Sequence, residues 1–437
     1  MKRLPKTTNW IAALLLLGSV SACGEDGADS SITTVTDPSE TETTEAGSGT
    51  AVVGVTVDLS YPIVDTGQVL FYGDSDEIEA PGTSEAFFGQ DAGYVGLQPS
   101  HADNGDGTVT DLTTGLMWQQ DPGDKMTYSE AAASADSFEL AGYDDWRLPS
   151  IKELYSLIDF SGVDPDPNCS TSDDCEMTPF IDTDFFAFEY GNTDAGDRLI
   201  DSQWATSTVY VGTTMGGDDT MFGVNFADGR IKGYPITNPQ GSQKEFFAIY
   251  VRGNPDYGVN DFVDNGDGTV SDLATGLMWQ QSDSIDGTDW SEALDYCEAL
   301  DTGGYDDWRL PNAKELQSIV DYTRSPSTSN SAAIDPIFSA STITDEGGDS
   351  DYGFYWTGTT HVQEVIGGSN AVYVTFGEAL GWMQNPRNSE YILLDVHGAG
   401  AQRSDPKTGD AADYPNGRGP QGDVIRIDNL VRCVADA

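Results

Sequence analysis

Three carboxylates fall within nine residues at Asp103, Asp106 and Asp111, and the same spacing returns at Asp264, Asp267 and Asp272. Oxygen ligands set among glycines suit a hard cation, calcium first. The pattern departs from the calcium-loop form, because Gly105 stands where the second ligand belongs. Hairpin chemistry explains the same residues, since Asn-Gly and Asp-Gly supply positive φ at a turn. Sequence leaves both readings open. A second group pairs Asp144 and Asp145 with Arg147 beside Trp146, and again Asp306 and Asp307 with Arg309 beside Trp308. A carboxylate pair next to an arginine can be catalytic. The plainer account is an arginine held by carboxylates where a helix begins, with the tryptophan in the core.

A third group lies in the Gly-rich stretch 384–424, which carries His397 and, out of only 20 Lys and Arg in the chain, Arg387, Arg403, Lys407 and Arg418. Long loops are usually functional or disordered. His397, Arg403, Lys407 and Arg418 are therefore the candidate ligand-binding set. No catalytic constellation accompanies them. The chain has three histidines, at 101, 361 and 397, and lacks HExxH, GxSxG and a phosphate loop. The expectation is a protein that is not an enzyme.

The elements that position these residues come from a duplication. GYDDWRLP occurs at 142–149 and at 304–311, and the blocks 103–120 and 264–281 agree at 16 of 18 positions. One unit is thus built twice, over 51–255 with a β-rich lead-in and over 256–437. Each copy should open on a hairpin and then form two capped helices. The first has Thr127 with Glu130, or Asp289 with Glu292, at N-cap and N3 spacing. Its inward face is Ala131, Ala132, Ala135 and Phe138, or Ala293, Leu294, Cys297 and Leu300. The second is capped by Ser150 with Glu153, or Asn312 with Glu315, and buries Leu154, Leu157 and Ile158, or Leu316, Ile319 and Val320. Short strands rich in Trp, Thr and Phe follow. The class is α+β.

Cys297 and Cys433 face Ala135 and Gly253 in the first copy, so both thiols are absent there together. Joint absence is what a bond between helix and closing strand predicts. Cys169 and Cys175 read as a local clip in an acidic loop. Disulfides imply an oxidising compartment.

Residues 1–22 combine a basic start, an apolar run and small residues, the pattern of a secretory signal. The ending VSAC resembles a bacterial lipobox, which makes Cys23 the expected lipidation site. The Ser-, Thr-, Asp- and Glu-rich segment 23–50 lacks Leu, Phe, Trp and Tyr and reads as a flexible tether. The expected location is the bacterial cell envelope, lipid-anchored, at the outer membrane or cell surface. Net charge is −53, from 73 acidic against 20 basic residues. Such a chain repels nucleic acid.

The long motifs DNGDGTVTDLTTGLMWQQ and GYDDWRLPxxKEL, the Trp-Thr segments and the closing VRCV resemble the Lcl C-terminal domain, named from a collagen-like bacterial adhesin. The resemblance covers both copies. It implies binding or adhesion without catalysis, with a surface glycan, polysaccharide or protein as partner. The adhesin's sulfated-glycan ligands suit a cationic surface, whereas this chain is anionic and has no collagen stalk. More distantly, Trp290, Glu292, Ala293, Cys297 and Cys433 resemble the C-type-lectin-like fold, in which such a helix is bonded to the last strand. RLP before a capped helix is similar to formylglycine-generating enzymes of that fold, and implies such an activity as a remote alternative. The calcium-dependent sugar signatures are missing. The other alternative is a structural envelope protein stabilised by calcium and without a specific ligand.

Overall fold

A computed structural model of the chain describes residues 59–437, other than residues 167, 170–174, 176, 239–240, 386–387 and 420. The expected signal, Cys23, the tether, the start of the β-rich lead-in over 51–58, and Arg387 lie outside the described residues.

Each copy opens on the expected hairpin. His101–Asp103 pairs with Thr108–Asp111 in the first copy, and Phe262–Asp264 with Thr269–Asp272 in the second. Gly105, Gly107, Gly266 and Gly268 adopt positive φ in the intervening turns. A third strand, Met117–Gln119 or Leu277–Gln280, extends each hairpin, and the end of the copy returns beside it. Val251 lies opposite Trp118, and Val434 opposite Trp279. Both tryptophans are fully buried. The first and last segments of each copy thus close on one another.

Helices α1 (Tyr128–Ala135), α2 (Ile151–Tyr155), α3 (Trp290–Glu298) and α4 (Ala313–Ser318) form at the expected places. The Thr127, Ser150 and Asn312 caps make the full reciprocal box with Glu130, Glu153 and Glu315, whereas Asp289 only accepts from the Glu292 amide. Each cap satisfies amide donors that the first helical turn leaves unpaired. The two copies differ in α1 and α3. Ala293, Leu294 and Cys297 are buried, but in α1 only Ala131 is, and Ala132 is exposed. With small alanines in place of Leu294 and Cys297, the shorter α1 covers less of its core.

Six strands form the sheet that joins the copies: β1 (Gln203–Val209), β2 (Thr220–Asn225), β3 (Arg230–Pro235), β4 (Phe354–Gln363), β5 (Gly367–Thr375) and β6 (Gln402–Pro406). Their order is β4-β5-β6-β3-β2-β1, all antiparallel. Each copy supplies three neighbouring strands, and the seam is the Gln402–Ile231 pair of β6 and β3. In the repeat, β3 corresponds to Leu380–Gln384, but that segment forms a separate hairpin with Tyr391–Asp395. The long loop of the second copy supplies β6 in its place. At the crossing, Gly233 donates its amide to the His397 carbonyl at 2.9 Å. Any Cβ at 233 would collide with that oxygen.

Strand alternation then sorts the side chains. Phe222, Val224, Ile231, Val372 and Val374 face a large core with Leu154, Ile158, Leu316 and Ile319 from the α2 and α4 segments. The described residues form one compact unit, mostly antiparallel sheet with five short α-helices among them, α+β in class. No helix there is long and apolar enough to cross a membrane.

Candidate functional site

The opposite face of the seam is polar. Arg230, Lys232 and Tyr234 of β3, Tyr373 of β5 and Arg403 of β6 line a cavity of about 700 Å³, bordered also by Asp164, Asp166, Arg418 and Asp423. Six cations border it: Arg198, Arg230, Lys232, Lys244, Arg403 and Arg418. Four acids, Asp164, Asp166, Asp228 and Asp423, stand among them. In a chain of 20 cations against 73 acids, this is a local reversal of charge.

The charges interlock. Arg230 bonds Asp164 at 2.8 Å and lies 3.4 Å from Asp228, which also accepts from Lys232. Arg403 donates to Asp423, which takes a second bond from His397 Nε2 at 3.0 Å. Burial alone would raise the Asp423 carboxyl, but Arg403 and His397 hold it well below the usual range. Burial pushes Lys232 down to about 8 against the pull of Asp228. Burial, aided by Arg403, pushes His397 down to about 4, so its ring is neutral at physiological pH. Several groups at the wall remain unsatisfied. Among the described residues, Arg403 Nε and Nη1, Asp228 Oδ1 and Asn370 Oδ1 have no partner. Buried polar atoms without partners are uncommon, because each forfeits its hydration.

Of the candidate ligand-binding residues, Arg403 and Arg418 reach the cavity. His397 does not, and acts on it through Asp423. Lys407 is elsewhere: it donates to the Gly73 carbonyl at 3.0 Å and packs over the Trp290 ring at 3.9 Å, a structural role. Sequence reading missed Arg230, Lys232 and Asp228. Two cations at strand spacing, in a chain so poor in them, were the available signal.

The acidic turns spend their oxygens on the backbone. Asp103 accepts from the Gly105 amide, Asp106 from Thr108 and Asp111 from Thr113 and Thr114. Asp264, Asp267 and Asp272 repeat this, with Asp272 also taking Asn260 and Thr275. The three carboxylates of a turn do not converge. Among the described residues only Cys169, Cys175 and Glu364 bring three ligand atoms together, and those two sulfurs are bonded to each other. Cys297 is bonded to Cys433, tying α3 to the closing strand with Cα atoms 5.5 Å apart.

The arginine pairs are rearranged relative to expectation. Arg147 is held by Glu153 and Arg309 by Glu315, the N3 residues of the following helices. Asp145 instead holds Arg252, at 2.6 Å. Trp146 and Trp308 are core residues. The N3 glutamates reach back to close the capping box, which brings them to the arginine ahead of the helix. Arg309 also reaches Asp436, at 3.2 Å.

A family model described as the Lcl C-terminal domain matches residues 107–252 and again 268–395. Neither a curated protein nor a solved structure matches the chain.

Proposed function

The chain belongs to the Lcl C-terminal domain family, with two tandem copies, and from that premise we propose that it is a non-catalytic binding protein of the bacterial cell surface. Lipidation at Cys23 and the tether over 23–50 would hold the folded part away from the membrane. Its partner class is a glycan, a polysaccharide or a surface protein. The observation that carries this reading is the cavity between the copies, where six of the 20 cations gather over the shared sheet. Sites of this kind are concave and largely preformed, with a few convergent polar groups. The helix-to-strand disulfide of the second copy supports a C-type-lectin-like scaffold there.

The test is a screen of the full chain, without residues 1–22, on glycan and matrix-protein arrays. Specific capture that weakens when the cavity is altered supports the reading. Capture of nothing, or turnover of any saccharide or peptide, would overturn it.

A further inference from the structure

We infer that the cavity takes an acidic sugar residue, with its carboxylate on Arg403 and its hydroxyls on Asp228 and Asn370. The inference rests on the binding reading above and names the ligand class. Arg403 is buried, and only one of its three guanidinium nitrogens has a protein partner, at Asp423. A planar guanidinium with N–H groups to spare matches a carboxylate better than any other side chain does. The remaining unsatisfied groups are of the opposite kind. Asp228 Oδ1 and Asn370 Oδ1 are acceptors, and a ligand hydroxyl is the donor each lacks.

Charge narrows the choice further. Arg198 is already paired with Asp201, so five cations stand against four acids, an excess of one that a single negative charge neutralises. A doubly charged phosphoryl group would face Asp164, Asp228 and Asp423 with more charge than the cations balance. A neutral sugar would leave Arg403 as it stands. A volume of about 700 Å³ is in the range of small-molecule sites and holds one or two sugar residues. The ligand would touch Arg230 and Lys232 of one copy and Arg403 of the other. Duplication therefore has a use: neither copy owns the site.

The full chain without residues 1–22 is titrated calorimetrically with D-glucuronate, D-glucose, glucose 6-sulfate and glucose 6-phosphate, and its melting is followed with each. Glucuronate is expected to bind at least tenfold more tightly than the other three and to raise the melting temperature. Arg403→Gln should lose at least tenfold in glucuronate affinity. Should that variant fail to fold, Lys244→Ala with Arg418→Ala at the cavity mouth should still weaken glucuronate several-fold and leave ligand-free melting unchanged. Equal or tighter binding of glucose or either ester, or unchanged affinity in a folded Arg403→Gln protein, overturns the inference. Neutral array ligands whose capture survives Arg403→Gln would sink this inference and leave the binding reading intact. An array with no ligand at all would sink both.

Discussion

Lys152 donates to the carbonyl of Ser318 at 2.6 Å. One repeat away, Lys314 donates to the carbonyl of Ser156 at 2.9 Å. The KEL segments of the two copies thus clasp each other by the same bond made twice, an arrangement like the self-complementary contact of a symmetric dimer. The outer ring of acceptors differs: Gly258 and Asn260 for Lys152, Asp65 for Lys314.

Burial pushes both ammonium groups down to about 8. An unfolded lysine titrates near 10.4. Between these values the unfolded chain binds more protons, so stability rises with pH from about 8 toward 10.4. Urea denaturation at pH 7.5 and 9.5 should show the rise in the wild type. In Lys152→Met/Lys314→Met it should shrink to the part owed to Lys232, Lys244 and Lys407, which burial also pushes down. An undiminished rise in that variant would contradict the assignment.

Asp395 accepts from the Tyr210 hydroxyl at 3.0 Å and the Gly398 amide at 2.7 Å, bridging the copies. Burial, with Glu378 adding to it, pushes its carboxyl up to about 8. Its contribution is complete below about pH 4 and is lost as pH rises through 8, because only the unfolded chain then releases the proton. Asp395→Asn is neutral throughout. Its stability relative to wild type should grow by roughly 3–4 kcal/mol between pH 5 and 8.5; a constant difference would refute the shift.

The Cys297–Cys433 bond spans 136 residues and the Cys169–Cys175 bond only six. Chain-entropy reasoning gives upper values of about 5 and about 2 kcal/mol for the two. Replacing each pair by alanines and comparing denaturation midpoints should preserve that order. The first copy folds without an equivalent, with Ala135 and Gly253 in those places.

Gly233→Ala tests the crossing of the long loop over β3. The added methyl meets the His397 carbonyl oxygen, which is backbone and cannot swing aside. A loss of ~1–3 kcal/mol is expected. The seam should loosen with it, read as faster amide exchange at Gln402 and Arg403 than in the wild type.

Asp106→Ala and Asp267→Ala should each cost ~1 kcal/mol, since each carboxylate accepts from both the amide and the hydroxyl of the threonine two residues on, Thr108 or Thr269. The cost should be the same with calcium and with EDTA. A wild-type melting temperature that moves by several degrees on chelation would restore the cation reading of these turns.

Thr127 with Glu130, Ser150 with Glu153, Asp289 with Glu292 and Asn312 with Glu315 were legible in the sequence because a cap joins residues three apart. The Asn-Gly and Asp-Gly turns were legible for the same reason. The paired absence of two thiols marked Cys297 and Cys433. None of these signals says which strands become neighbours. Arg230 meets Ser404 across 174 positions, and no periodicity spans such a distance.

The sequence by itself determined the duplication, the capped helices, the turns and the scarcity of positive charge, all of which rest on local geometry or on counting. Only the tertiary structure decided that Gln402–Pro406 would leave a loop to stand beside Arg230–Pro235. The physical reason is that strand pairing is made by backbone groups, which every residue carries alike. The pairing is fixed by side chains from far apart: Ile231 enters the core that holds Leu154 and Leu316, and Gln402 accepts a bond from Tyr155 of α2 at 3.2 Å. With that choice made, alternation along the strands turns Arg230, Lys232 and Arg403 to one side of the sheet, where together they enclose a cavity.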